Sequence, residues 1–337
     1  MGSNHINQMN QITRSARWVK SLKSYLTNLT TSPLALPISK YPKPDPTGFP
    51  RATDAHHQNL QLQAEQHPLV DDHTFSSIEE YVNHLIHLRA YEEAARLVAG
   101  KTVLDVGCNV GYGIQVLSST ASCVAGIDVS PQAIKAAQER LGSAADIRLY
   151  NGVQCSFANS SFDVVTSFQV IEHVSDYHAY FSEIIRLLRP GGMVLFTTPN
   201  ACLRLDPGMK PWNEFHVREF TGSELQELLL KWFGTVEVRG LLGKEEVYQI
   251  ERNRVERAKI AARSQPARPR PSFKGFVKRV FPWTVQIRNM LRTYVKGEEE
   301  TSKLARSQIE RFSTRDLFYK TDHLEDALDL MALCRKT

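Results

Sequence analysis

The chain has 337 residues, of which 42% are hydrophobic and 23% charged, with a formal net charge of +5. It is long enough to bury a sizeable core, and no apolar run approaches the ~20 residues that span a bilayer. Five scattered cysteines without a CxxC pair support neither a disulfide framework nor a structural zinc site, so a reducing, cytoplasmic setting is expected.

Residues 1–75 read as a weakly patterned leader. The stretch "SPLALPISKYPKPDPTGFP" carries six prolines, and the first 44 residues hold six Lys/Arg and no acid. Regular patterning starts at Ser76. The spacing predicts a helix from there to Gly100, with serine and glutamate forming its N-terminal signal. Short apolar runs then predict strands at 102–107, 123–129, 146–150, 162–171 and 192–198. Helices fall between them: "GYGIQVLSST", then 130–142 with Ser130 as cap and Pro131 at its first position, and "SDYHAYFSEIIRLL", followed by an "RPGG" turn. A helix at 221–234 and a strand at 235–243 close the regular part, and 326–336 reads as a last strand.

This β-α alternation predicts an α/β fold, a doubly wound parallel sheet with ligands at the carboxyl ends of its strands. The divisions expected are a leader (1–75), a core (76–243), an insertion (244–325) and a final core strand (326–337). The insertion is strongly basic. Residues 251–297 carry thirteen Lys/Arg against Glu251 and Glu256, which leaves the body of the chain acidic. Aromatic, aliphatic and basic residues interleave over 273–295. That segment reads as a peripheral membrane contact, as a lid over the substrate, or as a hairpin packed on the core with its cations in water.

The chemistry-bearing motif is "VLDVGCNVGYG" at 103–113. A glycine-rich turn between a strand and a helix presents backbone N–H groups to a ligand. The dinucleotide fingerprint G-x-G-x-x-G fails here, because Asn109 and Tyr112 stand where its second and third glycines belong. No G-K-[ST] follows, so a P-loop is excluded. Asp128 lies 21 residues beyond Gly107 at the end of the next strand, where a carboxylate accepts the hydroxyl hydrogens of a ribose.

With these residues in place the chain resembles the class I S-adenosylmethionine-dependent methyltransferases. "VLDVGCNVGYG" is similar to their first motif, "VAGIDVS" to their ribose-binding acid, "FDVVTSFQVIEHV" to their fourth strand and "LLRPGGMVLFTTPN" to their fifth. The resemblance implies a Rossmann-like sheet of seven strands, the last antiparallel, with a helical insertion before it. It implies S-adenosyl-L-methionine as cofactor, with contacts from Asp105, Gly107, Asn109, Gly111, Asp128, Val129, Asn151 and Gln169. Adenine is expected near Asn151–Cys155. Asn109 departs from a family glycine, yet asparagine tolerates a left-handed backbone, so the loop is expected to keep its turn.

Methyl transfer needs an acceptor held in line and, for a hydroxyl, a group that takes its proton. Glu172, His173 and His216 are the catalytic candidates, with His173 the first choice as base. Glu172 and His173 read equally as a strand-end hydrogen-bond pair. "QVIEH" resembles the acid-x-x-Glu-His segment of ubiquinone-biosynthesis O-methyltransferases, which is associated with a divalent metal. Gln169 replaces the first acid, so no metal is expected. In "NEFHVREFT", Arg218 is expected to pair with an anionic acceptor or with Glu219. The reading is O-methylation of a small molecule, a lipid-linked intermediate or a glycan. The alternatives are an RNA methyltransferase, although nucleic acid is not the expected partner, and a non-catalytic cofactor-binding scaffold.

Overall fold

Eight strands form one mixed sheet, in the order β3-β2-β1-β4-β5-β8-β6-β7. They are β1 (Thr102–Val106), β2 (Cys123–Asp128), β3 (Asp146–Leu149), β4 (Phe162–Phe168), β5 (Leu188–Pro199), β6 (Thr235–Gly243), β7 (Leu317–Lys320) and β8 (Asp329–Arg335). The computed structural model describes residues 69, 75–213, 215–264 and 311–337. The chain divides into units Met1–Ile38 and Ser39–Thr337, and every described residue lies in the second. The leader's first part and the basic stretch 273–295 fall outside the described residues.

Strands β1 to β5 pair in parallel, and β8 slots between β5 and β6 antiparallel to both. The expected antiparallel last strand is therefore present. The sheet carries one strand more than the seven expected, because β7 adds to the free edge of β6. Two further details differ from the sequence reading. The "RPGG" segment lies within β5, where a register shift opposite Phe162 and a left-handed Gly191 absorb the turn chemistry. Residues 245–264, read as part of the insertion, form a regular helix, α7 (Glu245–Ser264).

Helices cover both faces. On one face α1 (Ile78–Leu97), α2 (Tyr112–Leu117) and α3 (Pro131–Leu141) bury Ala94, Ile114 and Ala137 against Val103, Val124 and Val164. On the other, α4 (Tyr177–Leu187) and α6 (Gly222–Leu230) bury Phe181, Ile184 and Leu225 against Leu104, Val165 and Phe196. Adjacent strand residues thus point to opposite layers, as the pleat requires. A four-residue helix, α5 (Ala201–Arg204), follows β5. No helix among the described residues is long and apolar enough to cross a membrane.

The caps follow the sequence signals. Ser77 accepts from the Glu80 N–H at the start of α1, and Ser130 accepts from Ala133 with Pro131 at the first position of α3. Thr221 and Glu224 close a full capping box on α6.

Helix α2 approaches α1 so closely that only glycine fits at 113. A Cβ there would lie 2.1 Å from the ring of Tyr91. That ring is held in turn by a 3.1 Å bond from its hydroxyl to Asp105. Gly113→Ala is therefore expected to destabilise the fold by ~1–3 kcal/mol, despite alanine's better helix propensity. Urea unfolding of the variant beside the wild type measures this, and equal midpoints would show that Tyr91 is free to move aside.

Candidate active site

The carboxyl ends of β1, β2 and β4 open onto a cavity of about 990 Å³, its mouth included. Its floor is the β1–α2 turn. Gly107 (φ +79°), Asn109 (φ +45°) and Gly111 (φ +80°) all take left-handed backbone there, so Asn109 does hold the turn that a glycine would otherwise hold. The Gly107 and Cys108 N–H groups donate to the Ile127 carbonyl and tie the turn to β2. A Cβ on Gly107 would strike Val170 at 2.5 Å, so the turn packs directly under the end of β4.

Asp128 organises this end of the cavity. One carboxylate oxygen accepts from the Asn109 N–H at 2.9 Å and the other from the Ser130 N–H at 2.9 Å. Gly107, Asn109, Asp128, Val129 and Gln169 all line the cavity, as does His173.

Three expected cofactor residues do not line it. Asp105 is fully buried, and accepts from the Tyr91 and Thr166 hydroxyls at 3.1 and 2.7 Å. Gly111 caps α2 and backs onto Leu141 and Ala137, so its lack of a side chain serves packing. Asn151 turns its side-chain oxygen to the Val153 and Gln154 N–H groups, closing a turn of its own. The neighbours Tyr150 and Gly152 face the cavity instead. Sequence reasoning also missed Ser130, Val174, Ser175 and Tyr180 in the lining. Ser130 caps α3 and Tyr180 lies on α4, and both serve at the cavity wall as well.

Beyond β4 the chain turns sharply. Gln169 adopts φ +56°, which ends the strand at Phe168 rather than at Ile171, and Ile171–His173 forms a 3₁₀ turn. The Gln169 amide nitrogen donates to both oxygens of buried Asp329 at 3.1 Å and to the Thr197 hydroxyl at 3.2 Å. Burial holds the Asp329 carboxyl well above the usual range, and the Gln169 hydrogen bond offsets part of that rise.

The 3₁₀ turn carries two of the catalytic candidates, and the loop after α5 brings the third. Glu172 is 1% exposed and accepts from the Thr198 hydroxyl at 3.1 Å. Its backbone carbonyl accepts from the Val217 and Arg218 N–H groups, which pins the loop against the turn. His173 places Nδ1 2.9 Å from the Phe215 carbonyl, and His216 places Nδ1 2.6 Å from Glu219. The two imidazoles meet edge to face, with centroids 4.9 Å apart. Glu219 also accepts from buried Arg204 at 3.0 Å, so Arg218 pairs with Glu224 instead of the expected Glu219. Ligand atoms of Glu172, His173 and His216 lie within 4.8 Å of one another; among the described residues a second such group, His323, Glu325 and Asp326, is exposed.

Burial dominates the protonation of this cluster. It pushes Glu172 up to about 7, against the opposing pull of His216, and moves His173 below its ordinary value. Burial also raises Glu219, but the His216 and Arg204 contacts outweigh it and leave that carboxyl below the usual range.

Residues 104–196 match the family described as "Methyltransferase domain". They are a methyltransferase domain. A Mycolicibacterium smegmatis protein named "Probable S-adenosylmethionine-dependent methyltransferase" is 38% identical over 164 residues, covering 48% of this chain and 63% of that one. A Mycobacterium tuberculosis protein of the same description is 32% identical over 145 residues, 43% of this chain and 52% of that one. A "Ubiquinone biosynthesis O-methyltransferase" from Thiobacillus denitrificans is 38% identical over 119 residues, 34% of this chain and 51% of that one. The chain thus spans about half to three-fifths of the length of these relatives.

The cofactor of this class, S-adenosylmethionine, fits the methyltransferase domain's cavity on its own terms. The carboxylate of Asp128, a hydrogen-bond acceptor at the end of β2, and the turn at Gly107 and Asn109 line the same cavity.

Asp105 makes this domain's stability depend on pH. Its folded pKa is raised to about 7 by burial, opposed by the Thr166 and Tyr91 hydrogen bonds. The unfolded value is about 3.9. The folded state therefore binds a proton that the unfolded state has lost, and stability falls as pH rises between about 4 and about 7. Asp105→Asn should flatten that decline, as read by denaturant midpoints at the two ends of the window; an unchanged slope would remove Asp105 as its source.

Proposed function

We propose that the chain is an S-adenosylmethionine-dependent O-methyltransferase acting on a hydroxyl of a small molecule, a lipid-linked intermediate or a glycan. The observation that carries this reading is the Glu172–His173–His216 cluster, which reaches the cofactor cavity through His173. When bound, S-adenosylmethionine supplies a methyl group on a sulfonium sulfur that departs as a neutral thioether. The chain's own work is to hold the two substrates and to deal with one proton.

Asp128 would hold the ribose of the cofactor, and the turn at Gly107 and Asn109 would lie beside its methionine portion. Val170 and Tyr180 exclude water from the apolar wall. The acceptor hydroxyl would be held at the cluster, and the basic groups there would take its proton as the methyl group is transferred. The name of the Thiobacillus relative supports a hydroxyl as acceptor, and residues 273–295 remain the proposed contact for a membrane-borne one.

Asp128→Ala is expected to weaken S-adenosylmethionine binding by ~1–3 kcal/mol, the value of a charge-assisted hydrogen bond left unmade. Isothermal titration gives the number directly, and an unchanged affinity would refute the ribose assignment. His173→Ala should instead slow turnover by ~10²–10⁴ while sparing cofactor affinity. The assay follows radiolabelled methyl into cell extract with solvent partition. Label in the organic phase indicates a lipid acceptor, label in aqueous polymer a glycan, and no label in either phase or in small molecules would end the reading.

A further inference from the structure

Between β3 and β4 the chain runs from Tyr150 to Ser161 as neither helix nor strand. It starts at the carboxyl end of β3, where Tyr150 and Gly152 line the cavity. Such a segment has no ladder to satisfy its backbone groups, so side chains must do it. Asn151 closes the first turn by accepting from the Val153 and Gln154 N–H groups. The next N–H, that of Cys155, donates to buried Glu183 on α4 at 2.7 Å.

Arg186, three residues along α4, extends that hold. Its guanidinium donates to both oxygens of Glu183 at 2.7 and 2.6 Å. It also donates to the Phe157 carbonyl and the Asn159 amide oxygen, each at 2.8 Å, and to the Cys155 carbonyl at 3.3 Å. A rigid planar fork serves several fixed acceptors at once, which an ammonium does not. Arg148 on β3 grips the same segment from another side. It pairs with Asp146, donates to the Ser156 carbonyl at 2.7 Å and lies over the Phe157 ring, 3.9 Å from its centroid. The α4 pair also acts on the cavity wall itself: burial pushes the Tyr150 hydroxyl well above its ordinary value, Glu183 adds to the rise and Arg186 opposes it.

We propose that Arg186, Glu183 and Arg148 are positioning residues for the cofactor, holding residues 150–157 in the shape that receives the adenosine portion of S-adenosylmethionine. None of the three lines the cavity, so each acts through the backbone it holds. Cys155, the point of the grip, stands three residues from Gly152, and the turn between them is closed by Asn151. A wall fixed in advance spares the ligand the cost of ordering it. The proposal rests on the reading of this cavity as the S-adenosylmethionine site.

The test titrates S-adenosylmethionine into full-length protein by calorimetry, with adenosine measured by competition. Arg186→Met is expected to weaken both ligands by the same factor, at least ~10-fold, and Arg148→Met by at least ~3-fold, because the segment must then be ordered as the ligand binds. Glu183→Gln keeps an oxygen for the Cys155 N–H and should bind both ligands more tightly than Glu183→Ala. Arg189, whose pair with Asp163 lies at the amino end of β5, supplies the control, and Arg189→Met should match the wild type. If Arg186→Met fails to fold by circular dichroism, Arg148→Met decides. Unchanged affinity in the folded variant that decides, or a loss for S-adenosylmethionine that adenosine does not share, would overturn the proposal and leave the methyltransferase reading in place. An equal loss in Arg189→Met would reduce the effect to general destabilisation and overturn it too. No S-adenosylmethionine binding by the wild type would end that reading and this proposal with it.

Discussion

The architecture of the site depends on how one buried acid is satisfied. Asp329 opens the last strand, opposite Pro199 on one side and Leu241 on the other, in the middle of the sheet. A carboxyl group there has no water to bond, and Gln169 supplies its amide N–H groups. To reach it, Gln169 takes a left-handed backbone, which ends β4 early and throws the chain into the 3₁₀ turn. Glu172 and His173 stand where they do because of that turn. The final strand thus shapes the candidate site without contributing a side chain to the cavity lining.

A second constraint orders the polar cluster from behind. The chain from Asn213 to Glu219 is tied to the 3₁₀ turn through the carbonyl of Glu172, and to the core through the Arg204–Glu219 pair. Trp212 packs over Arg204, with the guanidinium carbon 4.1 Å from the ring centroid, and donates to its carbonyl. Ion pairs this deeply buried lose much of their Coulombic gain to desolvation. Their value here is orientation: Glu219 fixes the angle of His216, and the His216 and Arg204 contacts hold that carboxyl below the usual range.

The glycine turn shows how one sequence pattern serves two purposes. Gly107 and Asn109 face the cavity, whereas Gly111 and Gly113 let α2 approach α3 and α1. Asp105 belongs with the second pair. It looks like a ligand-binding acid in the sequence, yet its carboxyl is consumed by Tyr91 and Thr166, and it braces α1 against β1 and β4.

The sequence by itself determined the α/β order, the helix caps, the turn and the place of Asp128, since each depends on residues close in the chain. Apolar periodicity, cap chemistry and glycine spacing are local signals. Strand β7 escaped it because four residues at an edge carry little pattern, and the role of Asn151 escaped it because a side chain that closes its own turn resembles one that reaches a ligand. Only the tertiary structure decided that Gln169 serves Asp329, that Glu219 belongs to Arg204 and His216, and that His216 meets His173. Gln169 and Asp329 lie 160 residues apart and His173 and His216 sit on separate loops, and burial, which forces every polar group to find a neighbour, is a property that only the folded chain possesses.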